Sequence, residues 1–142
     1  MARVLALTGM TAVAAVASLS GSYSGQNDQG YGLSLRVARS SVTQFRFALR
    51  ESCTNGSTAV RSHHLNPGVT IPVRDGQFDR TFQGKSSSAQ YTIRYRIRLT
   101  GIFSSGRVAG TMKEREDYYR GSAGGPVATC QSRILGYSGH RS

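Results

Sequence analysis

The chain has 142 residues, with 38% apolar and 18% charged residues, 17 glycines, two cysteines and no tryptophan. That is the length of one domain, so a two-domain enzyme has no room. The composition excludes a long coiled coil and a collagen-like repeat. Lys and Arg total 18 against seven Asp and Glu, a net charge of +11, which suits contact with polyanions such as nucleic acid, anionic wall polymers or acidic lipid head groups. Sixteen of the basic residues are arginine. Such a Gly, Ala and Arg bias with little Lys is also what a GC-rich genome supplies.

Residues 1–20, MARVLALTGMTAVAAVASLS, read as a signal peptide. Arg3 and the terminal amine form a positive start, Val4–Ala17 is a largely apolar stretch too short to span a bilayer, and Ala15-x-Ala17 is the cleavage pattern, with Ser18-x-Ser20 as the alternative. No cysteine stands near that point to carry a lipid. The expectation is a secreted protein whose mature part, 21–142, is a single domain with a side-chain balance of +10 once Arg3 is removed. In an oxidising compartment the even cysteine count favours a Cys53–Cys130 disulfide. It closes a loop of 77 residues, and loop-closure entropy assigns it about 4 kcal/mol.

The dominant period along the mature part is two. Leu33, Leu35 and Val37 alternate with polar or small residues, as do Phe45, Phe47 and Leu49 in a run that reaches Cys53 in the same phase. Val42 is out of that phase, which predicts a bulge or turn near Thr43–Gln44. Val69, Ile71 and Val73 alternate around Pro72, which confines this strand to an edge. Phe78 and Phe82 share a face, and so do Val108 and Met112.

Tyr91, Ile93, Tyr95, Ile97 and Leu99 alternate with Thr92, Arg94, Arg96, Arg98 and Thr100, in a run continuing to Phe103. Thirteen residues at ~3.3 Å each make a long strand, for which Gly101 is the predicted kink. The last strand is expected over Ala128–Leu135. Asp75-Gly76, Ser105-Gly106 and Asn55-Gly56 read as hairpin turns, and Gly84–Ser88 and Gly121–Pro126 as loops. No segment carries a convincing helical stripe, and Lys113–Tyr119 suits a charged strand end or a helical turn. The fold class that results is all-β: a small antiparallel up-and-down barrel or a two-sheet sandwich of about seven or eight strands.

Gly21-x-Tyr23-x-Gly25, Gln29-Gly30 and the strand Leu33–Val37 are followed by Phe45–Cys53, Asp75-Gly76-Gln77-Phe78, Gly101-Ile102-Phe103, Gly110-Thr111 and Cys130. In this order the chain resembles a group of small exported all-β, two-cysteine proteins of actinobacteria. The resemblance spans most of 21–135 and implies a fold and a compartment, with no catalytic residue. Members often carry an aromatic, commonly Trp, soon after the last cysteine, where this chain has only the more distant Tyr137.

Motifs for nucleotide binding, serine hydrolysis and redox or zinc Cys-x-x-Cys chemistry are absent. His63 and His64 would face opposite sides of a strand and cannot easily share an ion, so no metal site and no cofactor is expected. Glu114 and Glu116, about 7 Å apart along one strand face, reach the spacing of a glycosidase pair. They are read instead as an exposed strand end paired with arginines such as Arg115 and Arg120 or those of a neighbouring strand. Arg94, Arg96 and Arg98 form a basic ridge matched to phosphate spacing, the candidate contact for an anionic polymer or cell-envelope component. Tyr91 and Tyr95 point to the other face, which weakens a nucleic-acid reading.

The expectation is thus a non-catalytic binding or structural module. The runner-up is a barrel holding a small apolar ligand, and the two differ in whether the interior is filled or leaves a cavity of several hundred Å3.

Overall fold

The computed structural model describes residues 18–121 and 124–142. The expected signal peptide falls almost wholly outside the described residues. Among these residues ten antiparallel strands make up the fold: β1 (Gly21–Asn27), β2 (Gly32–Ala38), β3 (Ser41–Cys53), β4 (Thr58–His64), β5 (Ile71–Pro72), β6 (Gln77–Ser87), β7 (Thr92–Ser104), β8 (Arg107–Tyr119), β9 (Ala128–Gln131) and β10 (Leu135–Arg141). Among the described residues there is no helix, and hence none long and apolar enough to cross a membrane.

Six strands close into a barrel. The ring runs β8-β10-β1-β2-β3-β9 and back to β8, because β10 pairs with both β1 and β8 while β9 bridges β3 and β8. The remaining strands lie outside this ring. β4 and β5 pair with the other edge of β3, and the long β6–β7 hairpin extends from β8. The barrel reading is therefore the correct one of the two, with ten strands in place of seven or eight.

Turn chemistry explains the hairpins. Asp75 and Gly76 both have positive φ (52° and 72°), as do Ser105 and Gly106 (50° and 73°), which gives the twist that matches paired strands. The β2–β3 turn does the same with Arg39 and Ser40 (51° and 60°), a pair that carries no glycine to announce it. The predicted irregularity in β3 is a bulge. Arg36 pairs with Gln44 and Val37 with Val42, leaving Thr43 as the extra residue. In β7 the ladder to β8 lapses at Thr100 and Gly101 and resumes at Ile102 without a change of register. Only glycine fits at 101, because the Phe78 ring lies where a side chain would stand.

Two expectations are corrected. Gly84–Ser88 is not a loop: β6 continues to Ser87, paired residue for residue with β7. Nor is Ala128–Leu135 one strand. The chain leaves the ladder at 132–134, so β9 closes the ring at one end while β10 starts anew at Leu135 against Met112.

Alternation fills the interior. Leu33, Leu35, Val37, Phe45, Phe47, Leu49, Leu99, Val108, Met112 and Leu135 are all buried. Phe45 is fully enclosed and meets Phe47, Phe78 and Tyr137 edge-on, with ring centroids 5.4, 6.4 and 5.7 Å away. Each fully buried aliphatic or aromatic side chain contributes about 1.5–3 kcal/mol of transfer free energy. Cys53 and Cys130 sit directly opposite one another on β3 and β9 and are bonded, with Cα atoms 4.0 Å apart.

Candidate functional site

The inward phase of β3 runs Phe45, Phe47, Leu49 and then Glu51. That of β8 runs Val108, Met112 and then Glu114, Glu116 and Tyr118. Both strands thus carry the core pattern into the same end of the molecule and there switch to acidic and phenolic residues. β4, hydrogen-bonded beside β3, turns Ala59, Arg61 and His63 the same way. The result is a polar cluster under the apolar core, on the side of the β9 bridge.

The three carboxylates are buried: Glu51 and Glu114 are 0% exposed and Glu116 is 7% exposed. The expectation of an exposed, charged strand end at Glu114 and Glu116 is overturned. The two glutamates occupy positions where the period-two pattern demands core, and their partners lie mainly on β4. Arg61 donates from Nε to Glu51 Oε1 (3.3 Å), and its Nη2 lies 3.1 Å from Glu116 Oε2. The same Nη2 donates to the Tyr118 hydroxyl, which donates onward to Glu116 Oε2 (2.8 Å). His63 Nε2 lies 2.7 Å from Glu114 Oε2, while its ring packs near Phe47. Two oxygens are left over. Glu51 Oε2 and Glu114 Oε1 are fully buried and have no hydrogen-bond partner among the described residues.

Such crowding moves the titrations. Burial, with the charges of Glu114 and Glu116, pushes Glu51 up from its ordinary 4.5 to about 7, against the pull of Arg61. Burial also raises Glu116, with the Tyr118 hydrogen bond opposing. Burial disfavours the charged form of His63, but its bond to Glu114 and the surrounding carboxylates outweigh this and raise it. Tyr118 is pushed up to about 12 by burial and by Glu116.

Over this cluster opens a cleft of about 470 Å3 between β4 and the β6–β8 strands. Arg61, His63, Glu114, Glu116 and Tyr118 form its polar floor. Phe47, Leu65, Val69, Phe82, Ile93 and Tyr95 wall it. β6 admits Tyr95 through Gly84, over which the Tyr95 ring lies. Ile97 and Leu99 are buried as the pattern requires, and Ile93 and Tyr95, in the same phase, are only half-buried because they face the cleft.

The arginine ridge lies on the solvent face of β7, in the opposite phase to the residues that line this cleft. Arg94, Arg96 and Arg98 are all exposed. Arg98 forms a two-pronged pair with Asp79 (3.1 and 2.7 Å), and Arg94 stacks over Tyr119. Arg96 stands across from Arg115, and Arg98 from Lys113, so the basic character continues onto β8. His64 is exposed on the face opposite His63.

Sequence reasoning passed over Glu51, Arg61 and Tyr118 and set His63 aside. One signal was available: Glu51, Glu114 and Glu116 extend, in phase, runs of buried apolar residues. No protein-family model, curated protein or solved structure matches this chain. The site therefore rests on its own chemistry.

Proposed function

We propose that this is an exported, disulfide-stapled, non-catalytic binding module of the cell surface whose cleft takes a small apolar ligand. The observation that carries the reading is the cleft itself. Its volume of about 470 Å3 falls within the range of small-molecule sites, and its walls are aromatic and aliphatic over a floor with few, fixed polar groups. A structural module would fill that space. Export is supported by the pattern of residues 1–20, by the resemblance to exported two-cysteine proteins, and by a disulfide compatible with an oxidising compartment.

The test is titration with N-phenyl-1-naphthylamine, a neutral apolar dye whose emission rises in dry pockets. The expected result is saturable binding that Ile93→Trp abolishes by filling the cleft, with the fold retained. A wild-type protein that leaves the dye dark, or an Ile93→Trp variant that binds it equally, overturns the reading.

A second surface supports contact with an anionic polymer of the cell envelope. Arg96 and Arg98 of β7 stand beside Arg115 and Lys113 of β8, four cations around a shallow outer groove with Gln131 at one end. Counterion release makes such contact steeply salt-dependent.

A further inference from the structure

The geometry points to a binding site for a divalent cation of calcium size, held by Glu114 and Glu116 on the floor of the cleft and by the buried Glu51 beside them. It deepens the cleft reading by adding a cation beneath the apolar walls, and the two can fail separately.

Three observations carry it. The first is distance. One carboxylate oxygen from each glutamate lies within 4.8 Å of the other two. A point then exists at most about 2.8 Å from all three, and calcium takes oxygen ligands at about 2.3–2.6 Å. A shift of a few tenths of an ångström completes the triad. Magnesium, at about 2.0–2.1 Å and strictly octahedral, demands a larger contraction.

The second is the pair of unpartnered oxygens. Glu51 Oε2 and Glu114 Oε1 are wholly buried, and no donor reaches either among the described residues. A buried carboxyl oxygen is not left without a partner at no cost. The other oxygen of each residue is already held, by Arg61 in one case and His63 in the other. Those bonds fix the carboxylate planes, as outer-shell partners do at metal sites. Arg61 and Tyr118 hold Glu116 in the same way.

The third is charge. Three carboxyl groups gather around one guanidinium and one imidazole, an excess of acidic groups that a divalent cation would compensate. All the protein donors are hard oxygens, which suits calcium over softer transition metals. Glu114 and Glu116 line the cleft, which gives an ion an entry path and leaves room for water to complete its coordination.

The experiment uses the oxidised, EDTA-treated protein and two probes. Terbium, a luminescent substitute for calcium, is excited through tyrosine, and the chain has no tryptophan to confuse the signal. Tyr118 and Tyr95 both line the cleft. The expected result is sensitised terbium emission that calcium displaces with a stoichiometry of one. Calorimetry with calcium chloride should give the same stoichiometry, and Glu51→Gln and Glu114→Gln should each weaken binding at least tenfold. The surface control Asp79→Asn should leave it unchanged. Because Glu→Gln changes in a buried cluster can disturb folding, the terbium–calcium competition on the wild type stands without any variant. Absence of sensitised emission, emission that millimolar calcium does not displace, or full binding by a folded Glu51→Gln/Glu114→Gln double variant each overturns the site. Dye binding without calcium binding removes the cation and keeps the ligand reading, and calcium binding without dye binding does the reverse.

Discussion

The two ends of the interior are built on the same strands in the same phase, and they hold opposite contents. At one end Phe45 is locked among Phe47, Phe78 and Tyr137. Six residues further along β3, in the same phase, Glu51 is equally buried yet sits among Arg61 and two further carboxylates, which themselves line a cleft. Dispersion and the hydrophobic effect hold the first end. The second gives up part of both to the cleft and its carboxylates, and it is the end where β9 and the Cys53–Cys130 bridge tie β3 to β8. A site with room and charge is stabilised here by covalent and ionic ties, because packing is what a cleft gives up.

That contrast can be broken at its strongest point first. Phe45→Ala should cost about 3–5 kcal/mol in chemical unfolding, the penalty of a large cavity in a packed core. The same measurement on reduced protein, or on Cys53→Ser/Cys130→Ser, should lose about 4 kcal/mol, with a 77-residue loop released. A loss far smaller than this would mean that the polar end is held by its ion pairs alone.

Acidity separates the ends further. Glu51, Glu116 and His63 are all raised on folding. A raised group binds more protons in the native state than in the unfolded one, so the stability it contributes is complete below its unfolded value and is lost as pH rises through the folded one. In EDTA, unfolding free energy should therefore fall between pH 4.5 and somewhat above 7. The Glu51 shift from 4.5 to about 7 sets an upper limit of about 3 kcal/mol for its share. Asp79, held low by Arg98, titrates below this window. Glu51→Gln should flatten the slope, whereas a flat wild-type profile would show the carboxylates to be well solvated.

Within the apolar residues themselves, Leu35→Ala in the packed end should cost about 3 kcal/mol, and Ile93→Ala on the cleft wall no more than about 1 kcal/mol, since water already reaches one side of it. Equal costs would mean that the cleft is closed in solution. The smallest effect on stability belongs to the outer face. Changing Arg94, Arg96 and Arg98 to Ser should alter stability little. It should flatten the salt dependence of binding to heparin or an anionic wall polymer more than Arg50→Ser does. Equal losses would assign that binding to net charge alone.

Much of this was legible beforehand, for particular reasons. Asp75-Gly76 and Ser105-Gly106 announce their hairpins, because few other pairs accept positive φ twice in succession. Val42, out of phase, marks the bulge at Thr43. The cysteines pair because β3 and β9 bring them into register. Arg39 and Ser40 gave no such warning, since their conformation is imposed by the strands on either side. The polar cluster was the largest omission. An i, i+2 acidic pair on a charged strand has an ordinary explanation at a surface, and only the phase of Val108 and Met112 argued against it.

By itself the sequence determined the local quantities: strand periodicity, the faces of each strand, tight turns, net charge and an even cysteine count, each set within a few residues by backbone sterics and side-chain type. Tertiary structure decided everything that needs two distant strands at once. Ring closure depends on β10 meeting both β1 and β8, more than 100 residues from one end of that contact to the other. Glu51, Arg61, His63 and Glu114 come together across separations of 10 to 63 positions, because three strands share an inward phase at one end of a barrel. Alternation fixes which way a side chain points, and only the pairing of strands fixes what it meets there.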